Sequence, residues 1–328
     1  MDFTFLTITY NHEKFILEHL ESIKYQIINF GKKKDFQLVI ADDCSKDRTI
    51  VLIKKWIGCN GGLFKDINIL ENDKNLGTCK NYANGIRHIK GKFYKSLAGD
   101  DIFGKDNIFE TVKLLEQFDI VVTPTGEINS SGIFVDKKIY SRIYSMFKFI
   151  NTDYKRLSNE YAPIPMTPGV FMRKELLTES VLEFIEKFNL IEDRSSTIKL
   201  YENNKKMKFG LYEKIVVLYR HHDMAITKTK DVSINSKYVD DSIRLSNYVK
   251  GKSNSKWLKI RMEYHKFLIK IKNNKLALLL NFDVWFYRIS FLLNYPKYKN
   301  NMEKIIEESF LPNEEYLQYI RSEAKKYE

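Results

Sequence analysis

Two adjacent carboxylates, Asp100 and Asp101, follow the run Phe93 to Ala98 and the small residue Gly99. A tight turn there can bring both acids toward a cation. Hard divalent ions such as Mg²⁺ or Mn²⁺ take oxygen ligands and commonly combine one or two carboxylates with the phosphates of a substrate. A second acidic pair, Asp42-Asp43, and the pair Tyr10-Asn11 also come directly after short apolar runs. An Asp in such a place can accept hydrogen bonds from a base N–H or a ribose hydroxyl, or it can cap the next helix. Later in the chain stand Ile191-Glu192-Asp193 and Tyr219-Arg220-His221-His222. Asp193 suits either a proton acceptor or a helix cap, and of two adjacent histidines only one is expected to reach a given metal. No Walker loop and no GxGxxG stretch occurs, so P-loop and dinucleotide-binding chemistry lose their main support.

The elements that must position these residues alternate in a regular way. Phe3 to Thr9, Phe36 to Ala41, Ile67 to Leu70, Phe93 to Ala98 and Ile120 to Val122 read as strands. Between them lie helical stripes, first Ile16, Leu20, Ile23 and Ile27, then Ile50, Ile53 and Ile57, then Tyr82, Ile86 and Ile89, and finally Ile108, Val112 and Leu115. Strands alternating with helices over about 120 residues imply an α/β fold, with a mostly parallel sheet covered by helices on both faces. In such sheets ligands sit beyond the carboxyl ends of the strands. The three polar pairs would then converge on one sheet edge.

Past Thr123 the pattern weakens. Thr125 to Tyr140 reads as a hairpin, and the Pro-rich segment Pro163 to Gly169 as a rigid turn before the strand-like Val170-Phe171-Met172. A helix is expected around Ile198 to Tyr201 and a strand over Ile215 to Tyr219. From Val232 onward long helical segments take over. Arg244 to Lys275 carries ten basic residues opposed by Glu263 alone, with a stripe of Trp257, Ile260, Tyr264, Phe267, Leu268 and Ile271. This predicts a basic amphipathic helix. It attaches to an anionic membrane surface, packs its stripe on the preceding domain, or does both. The expected division is 1–230, with halves 1–122 and 123–230, followed by a helical, basic extension over 231–328.

Composition sets the outer bounds. The 328 residues are 44% hydrophobic and 29% charged, with 14 Gly and 6 Pro, which excludes disordered and fibrous classes. The 54 Lys and Arg against 42 Asp and Glu give a formal charge of +12, favouring a polyanionic partner. Cys44, Cys59 and Cys79 form no CxxC pair, so neither a disulfide framework nor a zinc site is expected. No leader is expected at the start of the chain, and Leu276 to Leu293 is interrupted by Asn281, Asp283 and Arg288, which argues against a spanning helix.

Taken in order, Thr7-Ile8-Thr9-Tyr10-Asn11, Val39 to Thr49, Asn72 to Gly77, Lys80-Asn81 and Ala98-Gly99-Asp100-Asp101 resemble the family 2 glycosyltransferases of GT-A fold. The similarity extends more weakly through Glu192-Asp193 and Tyr219 to His222. The resemblance implies a GT-A type, Rossmann-like domain with a C-terminal helical extension. It also implies an inverting, metal-dependent transfer of sugar from a nucleoside diphosphate sugar, with uridine favoured as the base. The acceptor would be a hydroxyl of a cell-surface polysaccharide, an oligosaccharide or a lipid-linked precursor. On this basis Ile8, Tyr10 and Asp43 would hold the nucleoside with Asp42 beside them, and Lys80 would face the diphosphate. Asp100 would lie against ribose and diphosphate, and Asp101 with Asp100 and His222 would hold Mn²⁺ or Mg²⁺. Asp193 would be the general base. A cytoplasmic location with peripheral contact at the inner face of the cell membrane is expected, and nucleic acid is not an expected partner. Ala98 replaces an Asp frequent in the family, and Lys80 replaces an Arg, which keeps the positive charge but loses the two-pronged hydrogen-bonding fork. Two other classes weigh against this reading. A nucleotidyltransferase would carry an early Gly-rich basic signature that is absent, and a non-catalytic RNA or polyanion binder would leave the strand-end carboxylates unexplained.

Overall fold

The computed structural model describes residues 1–134, 138–223, 232–271 and 274–327. The first strand, β1 (Phe3–Thr9), leads through α1 (Ile16–Phe30) to β2 (Phe36–Asp42). The pattern repeats with α2 (Thr49–Asn60), β3 (Asp66–Glu71), α3 (Thr78–Arg87) and β4 (Phe93–Ala98). β4, β1, β2 and β3 are neighbours and all parallel. Side chains alternate across each strand, so Phe3 and Phe5 face α1 and α2 together with Leu38, Ile40, Ile23, Ile53 and Trp56. Leu6, Val39 and Ala41 face the other way, onto Ala83 and Ile86 of α3. Both faces are therefore covered, as expected for a sheet of near-continuous apolar strands. Each fully buried Leu, Ile or Phe contributes about 1.5–3 kcal/mol of burial.

The next stretch departs from simple alternation. After β5 (Ile102–Phe103) and α4 (Glu110–Leu115), β6 (Ile120–Val122) joins the large sheet only through a later strand. The chain first makes a hairpin of β7 (Thr125–Asn129) and β8 (Gly132–Phe134), followed by α5 (Ile139–Ile150) and α6 (Tyr154–Glu160). It then returns as β9 (Val170–Arg173), antiparallel between β4 and β6. At the crossing Thr123 N donates to Gly169 O at 2.9 Å. A Cβ on Gly169 would stand 2.2 Å from Thr123 O, so only glycine passes there. The hairpin expected over Thr125 to Tyr140 is present through Phe134, and residues 135–137 lie outside the described residues.

α7 (Glu179–Ile185) and α8 (Glu192–Asn203) cover the α3 face, and β10 (Phe209–Leu211) completes a seven-stranded sheet of order β10-β6-β9-β4-β1-β2-β3. β11 (Val217–Arg220), two residues later than its expected start, enters a separate four-stranded sheet of order β5-β11-β7-β8.

The C-terminal segment consists of α9 (Val232–Lys252), α10 (Lys256–Lys270), α11 (Asn274–Leu280) and α12 (Phe282–Ala324). The single amphipathic helix expected over Arg244 to Lys275 is instead divided among α9, α10 and the start of α11, with a break at residues 253–255 where Ser255 Oγ caps Leu258 N. Of its expected stripe α10 fully buries Leu268 alone. Leu258 and Leu268 are inside, with Met262 packed beside the core, while Trp257, Ile260 and Phe267 are 70%, 61% and 56% exposed. The physical reason is that α10 is apolar on two sides and α9 covers only one of them. Lys272 and the expected boundary at 230/231 fall outside the described residues. The second half of α12 packs Met302, Ile305, Leu317 and Ile320 against the small sheet and α5. Among the described residues no helix is long and apolar enough to cross a membrane.

Candidate active site

The carboxyl edge of β1, β2 and β4 gathers the polar residues that follow those strands. Asp42 ends β2 and is buried, its carboxylate accepting from Ser45 N at 2.8 Å and Ser45 Oγ at 2.5 Å. Burial, outweighing those bonds, raises its pKa. Asp43 is also buried and takes backbone N–H groups from the loop before α3, Leu76 N at 2.6 Å and Gly77 N at 2.9 Å, besides Asn72 Nδ2 at 3.2 Å. Asn81 locks the same loop to β2, donating to Ala41 O and accepting from Asn72. The loop after β1 is stapled to the Asp42–Thr49 segment. Asn11 N donates to Ser45 Oγ, Lys46 N to Asn11 Oδ1, and His12 N to Thr49 Oγ1, each at 2.8 Å. Tyr10 stays 43% exposed above this scaffold and Ile8 is half-buried in β1. Lys80 is exposed on the first turn of α3. An open aromatic ring beside buried acceptors is a surface on which a base can stack.

Asp100 is the centre of a second cluster. Its Oδ2 lies 2.8 Å from His222 Nε2 and 3.9 Å from His12 Nε2. Burial pushes its pKa up, but the His222 hydrogen bond and the charges of His12 and His222 outweigh this and hold it below the ordinary value. His12 is itself lowered, chiefly by burial. Gly99 permits this approach, because a Cβ there would stand 3.1 Å from His12 Nδ1 and 2.9 Å from Ile16 Cδ1. The antiparallel register Val217↔Phe103 and Leu218↔Ile102 is what carries the end of β11 back to the Asp100-Asp101 turn. There Arg220 N donates to Asp101 Oδ1 at 2.8 Å, Arg220 Nε to Asp100 O at 2.6 Å, and Arg220 Nη2 reaches Glu18 Oε2 at 2.6 Å. Asp101 is buried beneath the turn, and desolvation together with the Asp100 charge raises its pKa well above normal. His222 and Arg220 both rest on the Phe15 ring, at 4.5 and 5.0 Å.

The sequence analysis singled out none of His12, Phe15 and Glu18. The position of His12, immediately after the Tyr10-Asn11 pair at the end of β1, is the signal that places it at this edge. Glu18 and Phe15 gave none, since their partners lie more than 200 residues away. The structure brings Asp42, Asp43 and Asn11 into one hydrogen-bonded scaffold, and Asp100, His12, His222, Asp101 and Arg220 into another. Asp42 and Asp100 both act electrostatically on His12, which joins the two.

Asp193 occupies the first turn of α8, where its Oδ1 accepts from Arg194 N at 2.7 Å and its Oδ2 from Thr167 Oγ1 at 3.2 Å. The Pro163–Gly169 turn thus borders Asp193. Glu192 beside it has a pKa pushed up to about 8 by desolvation and the Asp193 charge. α3 touches this region too, as Cys79 N donates to Asn189 O at 3.1 Å, so the turn bearing Lys80 adjoins the segment that leads into α8.

Whether this edge suits a divalent cation can be tested on its orphaned atoms. No group of three or more His, Cys, Asp or Glu among the described residues is arranged to hold a metal unaided. Buried Asp100 Oδ1, His12 Nδ1 and His222 Nδ1 nevertheless have no protein partner. Asp100 Oδ2 and His222 Nε2 already meet in a hydrogen bond at 2.8 Å, so a cation held by this pair would take the place of that contact. Two protein donors with the remaining positions left to phosphate oxygens match how such ions are usually held.

A sequence model of glycosyl transferase family 2 matches residues 4–180. The chain is 26% identical over 210 residues to the poly(ribitol-phosphate) beta-N-acetylglucosaminyltransferase TarS of Staphylococcus aureus, a match covering 63% of this chain and 34% of that one. It thus spans about a third of the length of that relative. Among solved structures, residues 1–349 of S. aureus TarS in complex with UDP-GlcNAc superpose with a TM-score of 0.59 at 21% identity, covering 100% of this chain and 89% of that one. The mannosyltransferase PcManGT of Pyrobaculum calidifontis, in complex with GDP-Man and Mn²⁺, superposes with a TM-score of 0.54 at 16% identity, covering 99% and 86%.

Proposed function

The chain belongs to glycosyl transferase family 2, and on that premise we propose that it transfers a sugar from a uridine diphosphate sugar, with inversion, to a hydroxyl of a cell-surface glycan or its lipid-linked precursor. Membership in the family makes the chain a glycosyltransferase of GT-A fold and removes the nucleotidyltransferase and non-catalytic polyanion-binding readings. Support for the uridine donor is that TarS, which this chain resembles over its full length in fold, has UDP-GlcNAc bound in the solved complex. Support for a wall- or surface-polymer acceptor is the acceptor in the name of that relative.

The observation that carries the reading is the turn Asp100-Asp101, clamped by Arg220 and His222 at the carboxyl edge of the parallel strands. In this scheme Tyr10 stacks on the base, while Asp42 and Asp43, already fixed by Ser45 and by the loop before α3, shape the floor of the nucleoside site. Asp100 and His222 would hold a divalent cation; Asp101, expected as a ligand beside them, is buried and accepts from Arg220 N instead. Mn²⁺ or Mg²⁺ bound there supplies positive charge to the departing diphosphate. Lys80 adds charge from the first turn of α3, where the N-terminal end of the helix also favours an anion. Asp193, oriented by Thr167, accepts the acceptor hydroxyl proton as that oxygen attacks the anomeric carbon. Arg220 acts at one remove, fixing Asp100 and Asp101 through its backbone and guanidinium.

Transfer of labelled sugar from UDP-GlcNAc and other nucleoside diphosphate sugars, with Mn²⁺ and with EDTA, tests the proposal. Metal-dependent release of UDP and stabilisation by UDP in a thermal melt are the expected results. Equal stabilisation by every nucleotide, or none by any, would overturn the donor assignment.

A further inference from the structure

The outward sides of α10, α11 and the start of α12 are apolar and uncovered. On α12 the inward stripe Tyr287, Phe291, Tyr295 and Tyr298 packs beside α5. The opposite stripe Phe282, Phe286, Ile289 and Leu293 is 60%, 69%, 52% and 77% exposed. Helical spacing is kept on both sides, so this outer face is built into the sequence rather than left over from fraying. It is continuous with the exposed side of α10, because Tyr264 stacks on Phe282 at 5.8 Å and on Phe267 at 6.5 Å. Arg261 Nε adds an ion pair to Asp283 at 2.9 Å. An uncovered apolar surface of this extent marks an interaction site.

Its charge indicates what covers it. Residues 256–300 hold ten Lys and Arg against two acids. Both acids are already paired, Glu263 with Lys250 and Lys266, and Asp283 with Arg261. Lys256, Lys259, Lys270 and Arg288 are exposed along the rim. A second copy of the chain would present the same patch to itself in a two-fold dimer, setting like charges face to face. An anionic lipid surface takes both halves of the pattern, with Trp, Phe and Leu entering the headgroup–acyl boundary while Lys and Arg meet lipid phosphates.

We infer that this face of α10, α11 and the first three turns of α12 docks on an anionic lipid surface, with Trp257, Phe267, Trp285, Phe286 and Leu293 as its apolar anchors. The face is held in fixed relation to the acceptor side of the site. Buried Asp241 of α9 accepts from Asn189 N, Asn189 Nδ2 and Leu190 N at 2.7 to 2.9 Å, just ahead of Asp193, and α10 packs along α9. The docking itself stands apart from the transferase reading. Its consequence, that the acceptor arrives from the lipid side, rests on that reading.

The test uses the full chain with phosphatidylcholine vesicles, with and without 30 mol% phosphatidylglycerol. Retention on the anionic vesicles that weakens with salt is expected. Brominated acyl chains should quench Trp257 and Trp285, whereas Trp56 is fully buried and stays silent. Phe286→Ser with Leu293→Ser should weaken retention by about tenfold or more. Changing Lys256, Lys259 and Lys270 to Gln should weaken it by about fivefold for each charge lost. Absence of retention, retention without quenching, or retention unchanged in both variants would overturn the inference. So would self-association in sedimentation velocity that the serine variants abolish, which would assign the face to a second copy. UDP binding measured on the same samples separates the two proposals: loss of lipid binding with UDP binding intact counts against the docking face alone, and the reverse counts against the donor assignment alone.

Discussion

At the carboxyl edge of the seven-stranded sheet, charged groups lie inside the protein and nearly every one has a designated partner. On α10, α11 and the start of α12 large apolar groups lie outside, uncovered by the rest of the described chain. The first arrangement holds atoms still: Asp43 is gripped by two backbone N–H groups and Asp101 by Arg220 N. Burying such groups unpaired would cost several kcal/mol each, so their geometry is strongly specified. The second arrangement specifies little about its own shape and much about its surroundings, since outward Phe and Leu gain nothing until something covers them. The contrast separates a region whose side chains are fixed by partners within the chain from one whose side chains face outward.

The largest expected effect tests the chemical side. Asp193→Asn should lower kcat by about a thousandfold, the middle of the range for a positioned general base, with little change in melting temperature. A full-rate variant would detach Asp193 from the reaction. Asp43→Ala should instead act through the fold, losing about 4 kcal/mol in a urea titration, because Leu76 N and Gly77 N are left without their acceptor.

A sharper form of the comparison uses one helix. Ile305→Ala, on the buried side of α12, should cost about 2–5 kcal/mol. The pH dependence of stability isolates a third buried group. His19 is enclosed between Thr7 Oγ1 and Asp101 O, each at 2.8 Å, and burial lowers its pKa to about 4. Between pH 6.5 and 4 the unfolded chain takes up a proton that the native chain refuses. His19 therefore contributes fully above pH 6.5 and loses about 3 kcal/mol as pH falls to 4. His19→Gln should flatten that part of the profile. The smallest effect closes the series: Leu293→Ala, twelve residues before Ile305 on the same helix, should change stability by less than about 0.5 kcal/mol. A cost comparable to that of Ile305→Ala would show that the outer face is already covered within the chain.

How far the sequence could be read follows the same division. The strand-end pairs were legible because a β-rich run, a polar break and a 3.6-residue stripe are all local signals, and β1 to β4 run as expected. The pairing of Asp100 with His222 spans 122 residues and depends on an antiparallel β5–β11 register, about which local periodicity is silent. β9 illustrates the same limit, since Val170 to Met172 reads as a strand but nothing nearby says that it enters the large sheet antiparallel. α10 shows the converse. Its stripe of Trp257 to Ile271 was visible, yet a helix with apolar residues on two sides does not announce which side its neighbour will take.

The far end of α12 has a consequence for how the molecule is made. Asn60 Nδ2 and Lys24 Nζ both reach Tyr327 Oη, across 267 and 303 residues, and Arg321 approaches Glu18, the residue that holds Arg220. Contacts this remote close only after the intervening chain has been synthesised, which takes roughly 15–60 s between Lys24 and Tyr327 at common translation rates. The parallel strands can assemble on the ribosome well before then. The clasp that steadies Glu18, and through it the acidic turn, is fastened later than the parallel strands, so a nascent chain holds its sheet before it holds that turn.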